Sequence, residues 1–326
     1  MIDLFYMNDA RYGGFVSYTA HLWRALNAQG KTARVFKVAK KLERKQREYT
    51  HGIAYQNVPL GYAIESARAG RAVITCAYWK HNPIAVGALL KHGAAIVVHD
   101  PTELSVELVE CIRETGARVI AIREGNVDKF RELGVESVFV PHPYVSPGAG
   151  KNQGLKHACS LSRIDFDKHI DIIVEANMML EPYLRVDIWG APNRIYVHHK
   201  LQPKFGSHWT QDYCGDFPRE ARSAITIAGR YKYVVDMSLI AGDGGGTQYT
   251  FFEAWDAGCR LVVHRGWLRE GGEMREGFNC YAAGDAEELT RVLLQTGDDR
   301  TRFGGRDALL GHSPKAIVPR FLEALR

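Results

Sequence analysis

The chain lacks the signals that would place it outside the ordinary globular class. Its six cysteines (Cys76, Cys111, Cys159, Cys214, Cys259 and Cys280) form no Cys-x-x-Cys pair, which excludes a zinc ribbon or a thioredoxin-like redox motif. They stand far apart, mostly in apolar surroundings, and read as reduced core thiols of an intracellular protein. No apolar run approaches the roughly 20 residues needed to cross a bilayer. No basic segment followed by an apolar stretch opens the sequence, so no signal peptide is expected and the protein is placed in the cytoplasm. A membrane-seeking amphipathic helix is also missing, as are internal repeats and low-complexity tracts. Charge is nearly balanced: 42 Lys and Arg against 37 Asp and Glu leave a net +5. That surplus permits an anionic partner without demanding one.

What is present is an alternating α/β pattern, and 326 residues suggest two domains. Short runs rich in Val and Ile read as strands at Ile2–Met7, Ala33–Ala39, Ala72–Ala77, Ala95–His99, Arg118–Ile122 and Ser137–Val140. Helical spacing covers Ser17–Gln29, Pro83–Lys91, Glu103–Thr115 and Val127–Leu133, with glycine stops at Gly30, Gly93, Gly116 and Gly134. Residues 141–154 read as a linker. The pattern then restarts, with strands at Leu155–Leu161, Arg185–Trp189, Tyr233–Met237 and Arg260–Val263. Helices follow at Asp167–Met179, Pro218–Ala228, Thr250–Ala257 and Ala286–Leu294. Residues 191–217 read as an irregular surface insertion, and Pro319 should break or kink a last helix that starts at Ser313-Pro314. The expected architecture is therefore two Rossmann-like, doubly wound domains facing a cleft, 1–148 (with 313–326 packing back on it) and 149–312.

Residues 233–263 are the most informative stretch. An apolar strand leads into Gly242, Gly244, Gly245 and Gly246, then a short helix that stops at Gly258, then a second apolar strand. Glycines between a strand and a helix N-terminus let backbone amides and the helix dipole approach an anion. A phosphorylated ligand is expected here.

In order along the chain, the residues resemble a known family. Tyr12-Gly13-Gly14-Phe15 follows the first strand, His99-Asp100 the fourth, and Leu161-Ser162-Arg163 leads to Lys168. Glu253 follows the glycine segment, and Glu273-Met274, Gly277, Asn279 and Asp285–Leu289 come next. This set resembles the GT-B nucleotide-sugar glycosyltransferases, in particular the large glycogen-synthase-like retaining family. The resemblance implies a nucleotide-diphosphate sugar donor, most simply a uridine diphosphate (UDP) sugar, with no cofactor and no metal. It implies that Arg163 and Lys168 grip the diphosphate and that His99 lies near the donor sugar. Gly13, Gly14, Gly190, Gly245, Gly246, Thr247, Gln248, Tyr249, Thr250 and Glu253 would hold the donor, Glu253 at its ribose.

Two departures stand out. The family has an acidic residue eight positions before the one matching Glu253; here that place is Gly245, and Asp243 is out of register. The family's glycine after the lysine is His169 here. The stretches 99–105 and 249–253 also resemble the DNA α-glucosyltransferases of T-even phages, which modify 5-hydroxymethylcytosine in duplex DNA.

The expected chemistry follows. A leaving diphosphate gains negative charge, so preorganised cations and amides supply the main stabilisation. Asp100 either contacts the acceptor or caps a helix beginning near Thr102–Glu103. Asp165-Phe166-Asp167 is a DxD triplet, metal-binding in another glycosyltransferase fold, which in this place reads as turn and N-cap residues. His99 is a sugar contact or a satisfied strand-end histidine. Lys37, Lys40, Lys41, Arg44, Lys45 and Arg47, with one acid, Glu43, suit a phosphate backbone or a solvated surface. The best reading is thus a retaining transferase acting on a 5-hydroxymethylpyrimidine in phage DNA, in the host cytoplasm; such a base must leave the stack to react. The alternatives are a transferase acting on a surface glycan or small molecule, and a non-catalytic DNA-binding protein. An epimerase would need an acid/base pair that the residues do not offer. A dinucleotide-dependent oxidoreductase would need the third glycine of GxGxxG, where Thr247 stands.

Overall fold

The computed structural model describes residues 1–326 apart from 10–13, 40–46, 78, 81, 149–151, 219–220, 241, 243 and 296–298. The chain divides into two compact units, Met1–Val145 with Gly311–Arg326, and Ser146–Leu310.

The first unit is built on β1 (Ile2–Tyr6), β2 (Ala33–Val38), β3 (Arg47–Thr50), β4 (Ile53–Val58), β5 (Ala72–Cys76), β6 (Ala95–Val98), β7 (Val119–Ala121) and β8 (Val138–Phe139). They form one sheet in the order β3-β4-β2-β1-β5-β6-β7-β8. Only the β3–β4 pair is antiparallel. The helices α1 (Gly14–Ala28), α2 (Leu60–Arg68), α3 (Pro83–Lys91), α4 (Val106–Thr115) and α5 (Glu124–Glu132) connect the strands. Strands β1, β5 and β6 are buried along their whole length, as a sheet covered on both faces requires. One core groups Phe5, Phe36, Ile74, Ile96, Leu89, Leu108 and Phe130. Asp3 is the charged exception inside β1. Its carboxylate accepts from Arg34 at 2.7 and 2.9 Å and from Ser66 Oγ at 2.6 Å, which offsets the cost of burying a charge.

The second unit has β9 (Lys156–Leu161), β10 (Val186–Trp189), β11 (Tyr213–Gly215), β12 (Tyr231–Asp236), β13 (Arg260–His264) and β14 (Tyr281–Ala283). Its sheet runs β11-β10-β9-β12-β13-β14 with parallel pairs throughout. That is the 3-2-1-4-5-6 order of a Rossmann sheet, whose switch point falls between its first and fourth strands, here β9 and β12. The helices α6 (Ile170–Met179), α7 (Arg194–Tyr196), α8 (Gln202–Phe205), α9 (Ala221–Ala228), α10 (Tyr249–Asp256), α11 (Ala286–Leu294) and α12 (Arg300–Gly311) complete it, α12 ending at the boundary between the units. The last helix, α13 (Pro314–Ala324), belongs to the first unit.

Three expectations change. Residues 191–217 are structured: a π-helical turn at Val197–Leu201 joins α7 to α8, and β11 follows. Tyr196, Leu201, Phe205 and Trp209 are buried in the unit's core and hold this stretch. Pro319 lies inside α13 without ending it, with Ile317, Val318 and Phe321 buried around it. The hairpin β3–β4 and helix α2 occupy a region for which no elements were expected. Among the described residues, no helix is long and apolar enough to cross a membrane.

Candidate functional site

In the second unit, the chain leaving β9 turns at once through Arg163 to His169. Arg163 Nη1 lies 2.8 Å from Asp165 Oδ2, and its Nη2 3.7 Å from Asp167 Oδ1. Lys168 Nζ lies 3.1 Å from Asp167 Oδ2. The second oxygen of Asp165 accepts from Phe166 N at 2.9 Å and from Asn193 Nδ2 at 2.8 Å. The DxD triplet therefore holds the two expected cations side by side. Burial opposes ionisation of Asp167, but Lys168 and Arg163 outweigh it and hold its carboxyl below the usual range.

Gly190 ends β10 with φ +143°, and a Cβ there would lie 1.8 Å from the Ser162 carbonyl oxygen. Only glycine allows the two strand ends to approach so closely. The glycine segment after β12 is buried from Gly244 to Thr247. A Cβ on Gly244 (φ +118°) would lie 3.0 Å from Gly266 O. Behind it, Asp236 Oδ1 accepts from Ser238 N at 3.0 Å and from Ser238 Oγ, which in turn accepts from Gln248 Nε2 at 2.8 Å.

Two buried polar atoms here lack partners among the described residues, Thr247 Oγ1 and Asp236 Oδ2, and the half-buried Glu253 stands near them in the chain on α10. Unmet buried polar atoms are rare and call for an explanation. Burial, with the charges of Asp236 and Asp256 adding to it, pushes Glu253 up to about 8. Tyr249 and Thr250 form the first turn of the same helix and are half-buried.

Leu239 N donates to Asp167 O at 3.0 Å and ties the loop after β12 to the loop after β9. His169 has φ +46°, a left-handed conformation that costs a non-glycine residue roughly 1–2 kcal/mol. Its ring lies 5.8 Å from that of His264 at the end of β13, and His264 Nδ1 accepts from Gly266 N at 3.0 Å. Further on, Asn279 bridges Arg275 N and Glu273 O, each at 2.8 Å, and Asp285 caps α11 through Glu288 N.

In the first unit, His99 and Asp100 follow β6. His99 Nε2 donates to Thr75 O at 2.7 Å, and its ring sits edge-on to Phe15 and Tyr18 at 4.5 and 4.8 Å. Burial lowers it to about 4, so it is neutral. Asp100 caps the helical turn Pro101–Glu103 by accepting from Thr102 N at 2.8 Å, so its capping role is the one observed. Glu103, which the sequence did not single out, accepts from His99 N and Asp100 N at 2.6 and 3.2 Å. Burial first, then the Asp100 charge, pushes it up to about 8.

Gly14 opens α1; Gly13 lies outside the described residues. So do Lys40, Lys41, Arg44 and Lys45, whereas Arg47 begins β3 exposed and Lys37 pairs with Glu48 at 2.6 Å. The structure thus brings Arg163, Lys168 and Gly190 to one end of the second sheet, with Gly245, Gly246, Thr247, Gln248 and Glu253 on the segment after β12. Missed in the sequence were Asn193, Asp236, Ser238 and His264, which act through neighbours distant in the chain. Among the described residues, no group of three or more His, Cys, Asp or Glu is placed to hold a metal ion.

No protein-family profile matches the sequence, and no curated protein matches it. Solved structures do. Anabaena HepE in complex with UDP aligns with a TM-score of 0.70 at 15% identity over 100% of this chain and 99% of its own. The pneumococcal O-GlcNAc transferase GtfA in complex with UDP and GlcNAc aligns at 0.68 and 11% over 99% and 98%. A glycosyltransferase from Rickettsia africae aligns at 0.64 and 11% over 99% and 97%. With likeness over nearly the whole length to these proteins, the chain of two Rossmann-like units has the GT-B fold.

Proposed function

We propose that the protein is a retaining glycosyltransferase that takes its sugar from a UDP-sugar. The observation that carries this is that Asp165 and Asp167 hold Arg163 and Lys168 side by side after β9, in the same unit as a buried glycine segment, an unpartnered Thr247 hydroxyl and the Glu253 carboxylate. Ligands of Rossmann sheets bind at the switch point, beyond the carboxyl ends of the strands. The fold's solved examples add support: HepE is described with UDP-glucose and GtfA with UDP.

The chemistry uses the residues as follows. Bond cleavage to the diphosphate leaves charge on its oxygens, and preorganised cations and amides stabilise it. Arg163 is 48% exposed in its pair with Asp165, and such surface pairs are worth only about 0–1 kcal/mol. Asp165 therefore holds Arg163 in place yet releases it readily to a diphosphate, while the less exposed Lys168 stays positioned by Asp167. Glu253 accepts from the ribose hydroxyls, and the amides of Gly245 and Gly246 meet a phosphate. The acceptor hydroxyl attacks from the leaving-group face and passes its proton to the donor phosphate. In the first unit, His99 is neutral and Asp100 fixes the turn beside it.

For the acceptor we infer a 5-hydroxymethylpyrimidine in duplex DNA, supported by stretches 99–105 and 249–253 and by the basic run from Lys37 to Arg47. The test is release of nucleoside diphosphate from a panel of nucleotide sugars, alone and with unmodified or hydroxymethylated duplex. Release from a UDP-sugar is expected, stimulated by the hydroxymethylated duplex and weakened by salt. Stimulation by a glycan instead, or salt-independent turnover, removes DNA and leaves the transferase. No release from any nucleotide sugar removes both.

A further inference from the structure

The geometry points to His169, steadied by His264, as a donor-binding residue that gives the diphosphate a proton-dependent contact unavailable to a glycine. This rests on the donor site proposed above. Among the described residues, only His51 and His169 are non-glycines with positive φ. His51 sits in the turn of the β3–β4 hairpin, beside Gly52, where such a conformation is ordinary. His169 sits directly after Lys168, in the loop that carries the two cations. Its backbone is one that glycine adopts freely, so something in the side chain offsets the strain. Strain of this kind collects at binding sites.

The surroundings fit an imidazole poised for an anion. The ring of His264 lies 5.8 Å away, with its Nδ1 already accepting from Gly266 N. That bond makes Nδ1 the acceptor and leaves the proton on Nε2. Burial first, then the charges of His169 and Arg265, lower the proton affinity of His264. The charged groups around the two rings are already matched. Arg163 and Lys168 pair with Asp165 and Asp167 on the same loop. From the loop after β13, Arg265 pairs with Glu288 at 2.9 Å and Glu276 at 3.3 Å. On α6, Asp171 accepts from Tyr196 Oη at 2.9 Å. Among the described residues no ion pair joins a carboxylate to His169, whereas a diphosphate held by Lys168 would bring anionic oxygens to its neighbour.

The experiment is calorimetric binding of UDP-glucose from about pH 5.5 to 8, the range in which histidine titrates, by wild type, His169→Gly and Lys168→Gln. The phosphates of UDP-glucose do not titrate there, and Glu253 is common to all three proteins. Wild-type affinity should rise about tenfold toward the acid end, the step expected of one added charge contact. His169→Gly should lack that rise toward acid, while melting at or above the wild-type temperature because glycine relieves the backbone. If His169→Gly keeps the wild-type pH slope, the inference is wrong. If Lys168→Gln binds as tightly as wild type, or wild type binds neither UDP-glucose nor UDP, the donor site itself is misplaced. Weakened Lys168→Gln together with an unaltered His169→Gly sinks the histidine alone.

Discussion

The two units share a core strand order, β4-β2-β1-β5-β6-β7 in one and β11-β10-β9-β12-β13-β14 in the other, yet the ends of their central strands differ. In the first, the turn after β6 is mostly closed on itself: His99 is spent on Thr75, Asp100 on Thr102, and Glu103 Oε1 on the backbone of both, with Glu103 Oε2 left over. In the second, the segments after β9 and β12 leave exposed Arg163 in a weak pair and leave Thr247 Oγ1 and Asp236 Oδ2 without partners. A shared core order thus supports one end whose polar groups are mostly used by the fold and another whose cations stay in weak pairs. The second retains polar groups whose needs a ligand would meet, and chemistry belongs to such groups rather than to the fold.

The sharpest way to break this contrast is Arg163→Gln. It should lower turnover with a UDP-sugar about 100- to 1000-fold and leave the melting curve unchanged. Retained turnover would make the second unit's loops as self-sufficient as the first's. Next is Gly190→Ala, whose Cβ would meet the Ser162 carbonyl oxygen at 1.8 Å. It should cost about 3 kcal/mol or more in denaturant unfolding; a loss below about 1 kcal/mol would show that the strand ends can separate cheaply.

Acid should act on the first unit before the second. His99 and His312 are lowered to about 4, His21 to about 3, and His142 well below its ordinary value, in each case chiefly by burial. A histidine with depressed affinity contributes stability that is present above its unfolded pKa near 6.5 and is lost as pH falls toward the folded value. Amide exchange, corrected for its intrinsic pH dependence, should lose protection in the first unit between about pH 6.5 and 4 while β9 and β12 stay protected. Simultaneous loss in both units would contradict it.

The smallest effect concerns Glu253. Its raised pKa means that stability present below its unfolded value near 4.5 is lost as pH rises through about 8. Glu253→Gln should therefore raise the melting temperature more at about pH 8.5 than at pH 5. An equal change at both would place Glu253 in solvent.

Strands buried on both faces were legible in the sequence. The expected Ala72–Ala77, Tyr233–Met237 and Arg260–Val263 match β5, β12 and β13 to within two residues at either end, because such strands are unbroken apolar runs. Edge elements were not. In β3, Tyr49 is exposed and the strand mixes charged with aromatic residues, so no alternation marks it. The stretch around the π-helical turn was also missed: its anchors at 196, 201, 205 and 209 follow no single helical period. Within the site, Arg163, Lys168 and Glu253 could be read from their order after strands and glycines. Glu103 and His264 could not, since each matters through a neighbour that only folding supplies.

By itself the sequence determined two alternating α/β units, the glycine-lined turns and the cations that follow β9, because these depend on local pattern and on residues close in the chain. Only the tertiary structure decided that Asp165 and Asp167 hold those cations, that Asp100 is a cap, and that His169 meets His264 across the end of β12. Those outcomes depend on which loops the parallel strand order brings together, and strand order is a property of the whole sheet.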